Sequence, residues 1–227
     1  HTTERMKYMD FASMAQYAPL FVEGLKVTVQ IAFVAVIIGA ILGLFVALGR
    51  LSTNKVISFI ATGYIQIIRG TPVLVQLYII YYATYPLFGF NIPPYIAAVA
   101  TFGLNSSAYV AEIIRAGIQA VDFGQMEAGR SLGLPHGMVM RYIIIPQAIK
   151  NILPALGNEF VVLLKETSVV SIIGTTDLVR QADIIKAATY SNFEPYIIIA
   201  LIYIVLVLGL STLINQLERR LKRSDYR

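Results

Sequence analysis

A chain of 227 residues with 57% hydrophobic residues, 14% charged residues and a mean hydropathy of +0.69 is too apolar for a disordered chain, a coiled coil, a collagen or a charged nucleic-acid binder. Its formal charge of +5 is therefore tested as the sidedness of a membrane protein, because such proteins place Lys and Arg by side. With no cysteine there is no disulfide framework, thiolate zinc site or thiol nucleophile, and two histidines, His1 and His136, are too few for a histidine-rich metal site.

His1 is read as the remnant of a purification tag, with Met6 and Met9 as candidate initiators. Residues 10–23, which include Asp10, Tyr17 and Glu23, read as an interfacial helix lying on the membrane. Five stretches then approach the roughly 20 apolar residues that a spanning helix needs. They are 27–48 without a charge, 56–90 with Arg69, 93–111 without a charge, 152–174 with Glu159, Lys165 and Glu166, and 195–217 without a charge. The first is not a signal peptide, since its apolar run exceeds an h-region of about 7–15 residues and follows polar and aromatic sequence. The expected fold is all-α, a single integral membrane domain over 1–227 with five transmembrane helices.

Residues 112–150 form the longest polar stretch between spans. Asp122-Phe123-Gly124-Gln125 predicts a turn, and 127–132 a short helix stopped by Gly133 and Pro135. A second short helix is expected over 136–144, closed by Pro146. With this platform inside, the inner segments hold Arg50, Lys55, Arg115, Arg130, Arg141, Lys150, Arg219, Arg220, Lys222, Arg223 and Arg227. The outer segments hold only Arg5, Lys7, Lys26, Arg180 and Lys186. The positive-inside rule then makes the platform and the C-terminus cytoplasmic and the N-terminus external.

The platform carries Glu127-Ala128-Gly129, three residues, Gly133, nine residues, and Ile143-Ile144-Ile145-Pro146. This resembles the EAA loop of the membrane subunits of bacterial ABC importers, E-A-A, three residues, G, nine residues, I-x-L-P. Gly129 stands for the second Ala and Ile145 for Leu. Arg69-Gly70-Thr71-Pro72, Ser107-Ala108-Tyr109-x-Ala111-Glu112-x-x-Arg115 and Gly124-Gln125 look like the polar amino acid permease branch. The resemblance covers about residues 15–220. It implies a permease subunit in the bacterial cytoplasmic membrane, paired with a second permease copy, with ATP-binding cassette ATPase subunits below and an extracytoplasmic solute-binding protein above. ATP and Mg would then be bound by the ATPase and no cofactor by this chain. Docking on the ATPase would fall to Glu127, Ala128, Gly129, Arg130 and Gly133. The residues agree: small Ala128 and Gly129 permit close approach, Glu127 and Arg130 can pair with charges, and Gly133 permits a sharp turn.

Residues 124–131 also come close to the phosphate-binding pattern G-x-x-x-x-G-K-[ST], with Arg130 in place of Lys. That loop needs a preceding buried strand in an α/β unit, and here the neighbours are helical. No serine has a histidine in reach, so the chain is read as a transport subunit and not an enzyme.

Charges inside spans are costly, about 2.5–3.5 kcal/mol at mid-membrane on insertion scales, and so face protein or water. In the fourth span Asn151, Asn158 and Lys165 recur every seven residues, beside Glu159 and Glu166. In the third, Asn105, Tyr109 and Glu112 share a face; in the second, Thr62, Gln66 and Arg69 do, with Gln76 beyond the break at Gly70-Thr71-Pro72. The expected solute-binding residues are Gln76, Asn105, Asn158 and Glu159, with a basic amino acid favoured because Glu159 lacks an obvious cation. Two other readings stay open. The polar groups could pair between helices, Arg69 with Glu112 for instance, or Glu159 could meet a partner subunit. An ion-coupled transporter or channel could use Glu159 and Arg69 without an ATPase. Gly39-x-x-x-Gly43 in the first span predicts the close approach of another helix.

Overall fold

The computed structural model describes residues 11–222, so His1, Met6, Met9 and Asp10 lie outside the described residues. Every regular element described is helical. A 3₁₀ turn, Ser13–Tyr17, leads into α1, Ala18–Arg50. Then come α2, Lys55–Gly70; α3, Val73–Phe88; and α4, Pro94–Gln119. Two short helices follow, α5, Phe123–Ser131, and α6, His136–Val139. A π turn, Met140–Ile144, joins α6 to α7, Ile145–Glu166, which passes into a 3₁₀ segment, Thr167–Ile173. The chain ends in α8, Leu178–Thr189, and α9, Glu194–Lys222.

Three described segments are long and apolar enough to cross a membrane: Ser13–Arg50, Pro94–Gln119 and Glu194–Leu221. The pair α2 and α3 makes a fourth if it counts as one bent span. The architecture is thus an all-helical integral membrane fold.

Three local expectations are corrected, and one expected break is given its geometry. There is no separate interfacial helix over 10–23: after Ser13–Tyr17 the chain enters α1 directly, because nothing between Phe21 and Val27 breaks the helix and Phe21 and Gly24 are buried. The break expected at Gly70-Thr71-Pro72 divides residues 56–90 into two helices. Thr71 is extended at φ −116, ψ 141, the conformation forced on a residue before proline, and Pro72 offers no N–H, so α2 and α3 meet at 103°. Pro146 does not close the platform. The Ile145 N–H reaches back five residues to the Met140 carbonyl, and Pro146 falls in the first turn of α7, where a missing N–H costs nothing. Finally, α8 was not anticipated. Its signals are the Asp177 N-cap, which accepts from Val179 N at 3.2 Å and Arg180 N at 3.0 Å, and an apolar row at Leu178, Ala182 and Ile185.

The bundle is built on the pairing of α1 with α4, its most extensive helix contact. Small residues Ala32, Ala35, Gly39, Gly43 and Ala47 line the buried face of α1. A Cβ on Gly39 would sit 2.6 Å from Ser106 Cβ and Oγ, and one on Gly43 would sit 2.7 Å from Val110 Cβ. These contacts confirm the close approach expected of that glycine pair and identify α4 as the partner. Around this pair, Leu77 of α3, Leu163 and Leu164 of α7 and Val170 join Ile31, Ala98 and Phe102 in the main core. A second cluster of Met14, Phe21, Leu178, Ile185 and Ile199 ties α8 and α9 to the start of α1.

Candidate functional site

α4 stands at the centre of the polar groups. On one face Asn105, 3% exposed, donates through Nδ2 to Gln76 Oε1 at 3.0 Å. Gln76 lies in the first turn of α3 and spans the break behind it. Its Nε2 donates to the Ile68 carbonyl at 2.7 Å, Thr71 Oγ1 at 2.7 Å and the Thr71 carbonyl at 3.1 Å. The freed carbonyl end of α2 is thus capped by a side chain from α3, and α4 is tied to both.

One residue further along α4, Ser106 turns to α7. Its hydroxyl donates to Glu159 Oε1 at 2.9 Å, and Glu159 is 8% exposed. No described ion pair involves Glu159. Gly39 packs behind Ser106, so three helices meet at this carboxylate.

Asn158 is placed differently. It is exposed on α7, as are Asn151 and Lys165 of the same row, while Glu159 points inward. Successive helical residues differ by about 100°, and that rotation separates the two rows. Of the four expected solute residues, Gln76 and Asn105 are joined directly and Glu159 lies one α4 residue away, bonded to Ser106. Asn158 lines an outer surface of the chain.

Toward the end of α4, Glu112 gathers three arginines. Arg50, the last residue of α1, bonds its carboxylate. Arg115, three residues on, donates from Nε at 3.2 Å and Nη2 at 2.9 Å. Arg69 of α2 lies 3.8 Å away, with its guanidinium over the Tyr109 ring at 5.1 Å. The Arg69 pair is the example named above for the open alternative of pairing between helices. The Arg115 contact follows from its i+3 position, whereas Arg50 carried no sequence signal. Nearby, Tyr64 OH donates to the Leu104 carbonyl at 3.0 Å and meets Ser107 Oγ at 2.7 Å.

The loop between α4 and α7 projects a short capped helix. Asp122 Oδ1 accepts from Gly124 N at 2.7 Å and opens α5. Gly133, at φ +82, closes it. Leu134 N donates to the Gly129 carbonyl at 3.2 Å and Gly133 N to the Arg130 carbonyl at 3.0 Å, the double bond pattern of a Schellman cap. Arg130 Nη1 adds a bond to the Leu134 carbonyl at 3.1 Å. Gly129 is buried, and a Cβ there would lie 2.8 Å from Val139 Cγ2. The contact explains why this chain departs from Ala at that point. Glu127, Ala128 and Arg130 are exposed, as are Phe123 at 74% and Leu132 at 81%. Residues 124–131 are thus helix rather than a phosphate-binding loop. Behind α5 lies a cavity of about 550 Å³, lined by Ile118, Phe123, Met126, His136, Met140 and Ile144 among others. No cluster of metal-ligating side chains occurs among the described residues.

These features define a class: a helical membrane protein with polar groups gathered inside its bundle and a rigidly capped helix held outside it. Residues 11–223 match the family described as binding-protein-dependent transport system inner membrane component, and the chain belongs to that family. It is similar to the arginine transport system permease protein ArtQ of Bacillus subtilis, at 46% identity over 96% of this chain and 99% of the relative. It is also similar to the glutamine transport system permease protein GlnP of Escherichia coli, at 36% identity over 94% and 98%. A crystal structure of an amino acid ABC transporter with histidines superimposes with a TM-score of 0.91, at 60% identity over 93% of this chain and 99% of that one. The expected membership is thereby established: an ABC importer permease subunit, in the branch whose named relatives serve amino acid transport.

Proposed function

We propose that this chain forms half of the solute path of an ATP-driven importer for amino acids, with a basic amino acid favoured. The observation that carries the preference is Glu159, a buried carboxylate whose one described hydrogen bond comes from a neutral hydroxyl, Ser106. A buried carboxylate of this kind is ready for a cationic partner, and the α-ammonium or side chain of a basic solute supplies one. The relatives named for arginine and described with histidines support a basic solute, and the relative named for glutamine supports the amino acid class. Gln76 and Asn105 bond one another, so their part is to hold the broken span against α4 beside the path. Asn158, Asn151 and Lys165 face outward on α7, a surface suited to a second permease copy that would complete the path.

In this reading five spans cross the cytoplasmic membrane, with α7 and its 3₁₀ extension as the fourth. The N-terminus is outside and the C-terminus inside, as the Lys/Arg count supports. The exposed face of α5, with Glu127, Ala128 and Arg130, docks on an ATP-binding cassette ATPase that holds ATP and Mg. Gly129 and Gly133 set the shape of that helix. An extracytoplasmic binding protein delivers solute to the opposite side. ATP and solute drive transport only by favouring different permease conformations. Family membership favours this reading over an ion-coupled transporter.

The test is Glu159→Gln in the complete transporter, reconstituted in vesicles. Shape is kept and charge removed. Arginine uptake is expected to weaken by about 1.5–3 kcal/mol, the scale of a charge-assisted hydrogen bond, while ATP hydrolysis without solute persists. Arginine uptake equal to the parent's would remove the basis for a basic solute.

A further inference from the structure

We propose that the arginine cluster around Glu112 binds the phosphate of an anionic phospholipid. Arg50, Arg69 and Arg115 come from α1, α2 and α4, and one carboxylate faces all three. Three positive charges and one negative leave a net +2. Glu112 faces Arg50 on Oε1 and Arg115 and Arg69 on Oε2, and its single negative charge can neutralise no more than one of them. Arg115 spends a further donor on Gln119, but the guanidinium groups of Arg50 and Arg69 reach no other acceptor among the described hydrogen bonds. Their unused N–H groups form the fork that a phosphate accepts bidentately.

Location makes the phosphate a lipid's. Arg50 ends a 33-residue apolar helix, and Glu112 and Arg115 lie in the last two turns of α4, so the cluster sits where a spanning helix meets headgroups. The arginine side chains are 26%, 43% and 28% exposed, open from outside the chain rather than sealed in the bundle. α2, which carries Arg69, presents Phe59 at 79%, Ile60 at 64% and Ile67 at 67% exposure outward. That apolar face belongs against acyl chains and keeps Arg69 at the bilayer. Basic pockets between spanning helices are known recognition sites for anionic headgroups, each cation near the surface contributing about 1 kcal/mol. The inference rests on the chain being a membrane protein and not on its solute or its ATPase.

Native mass spectrometry of the purified full chain in detergent, titrated with phosphatidylglycerol or phosphatidylcholine, tests it. The parent is expected to retain phosphatidylglycerol preferentially. Arg69→Gln and Arg50→Gln should each lower that preference about fivefold, one surface charge's worth. Glu112→Gln, which raises the cluster to +3, should strengthen it, and supplies a reading if Arg50→Gln does not fold. Arg180→Gln, an exposed position on α8 away from the cluster, should leave it unchanged. Equal retention of both lipids by the parent, or an equal loss in Arg180→Gln, overturns the proposal. So does displacement of phosphatidylglycerol by inorganic phosphate at matched concentration, which would make the site one for free anions.

Discussion

Ser106 Oγ donates to Glu159 Oε1 across the α4–α7 contact at 2.9 Å, and this bond exists because Gly39 lets α1 press against the back of Ser106. A Cβ on Gly39 would meet Ser106 at 2.6 Å, closer than atoms tolerate. Gly39→Ala must push α4 away or turn Ser106 aside. Overpacking of this kind costs about 1–3 kcal/mol. The thermal midpoint of the purified chain is expected to fall, and Ser106→Ala, which adds no bulk, should lower it less. Equal midpoints for Gly39→Ala and the parent would show that the helices have slack at this contact.

Gln76 is expected to act on the bent span before it acts on solute. Gln76→Leu removes the cap on Ile68 and Thr71 and leaves the buried Asn105 amide without its acceptor. An unsatisfied buried polar group costs about 1–3 kcal/mol. Hydrogen exchange should rise in residues 66–76 of the variant. Pairing the change with Asn105→Leu should recover part of the loss, because the orphaned amide is then gone. A double variant as unstable as the sum of the two would argue against the direct bond.

Gly133 and Glu127 separate the shape of the projecting helix from its surface. Gly133→Ala forces a Cβ into φ +82, a left-handed conformation that costs about 1–2 kcal/mol, and should loosen the end of α5. Glu127→Lys reverses an exposed charge and should leave α5 intact. Both are expected to reduce solute-stimulated ATP hydrolysis by the assembled transporter, and only Gly133→Ala should raise amide exchange at 129–134. Unchanged stimulation in both variants would remove the docking role from this helix.

Orientation is open to direct labelling, because the chain has no cysteine of its own. Asn91→Cys and Ser191→Cys, between α3 and α4 and between α8 and α9, are expected to react with a membrane-impermeant maleimide in intact cells. Asn91 is exposed and Ser191 half-exposed, so access is not limited by packing. A cysteine at Ser131 should react only after lysis. The reverse pattern would invert the topology.

What the sequence by itself determined is local or compositional. Apolar runs marked the long helices α1, α4 and α9, and Gly70-Thr71-Pro72 marked the break between α2 and α3, since proline acts on its immediate neighbours. The spacing from Glu127 to Pro146 marked the projecting loop, because a helix, its Gly133 cap and the return are set within a few turns. Periodicity also grouped Asn105, Tyr109 and Glu112 on one face. It could not say which helix that face would meet. In a bilayer the outer faces are as apolar as the inner ones, so hydrophobic patterning does not distinguish lipid from a neighbour. Only the tertiary structure brought Ser106 to Glu159, 53 residues on, and Arg50 to Glu112, 62 residues on. It also turned Asn158 outward while Glu159 faced in, and showed Gln76 committed to its own break. Those outcomes depend on how closely helices approach, and here that distance is governed by small residues such as Gly39 and Gly43, whose partners lie far away in the chain.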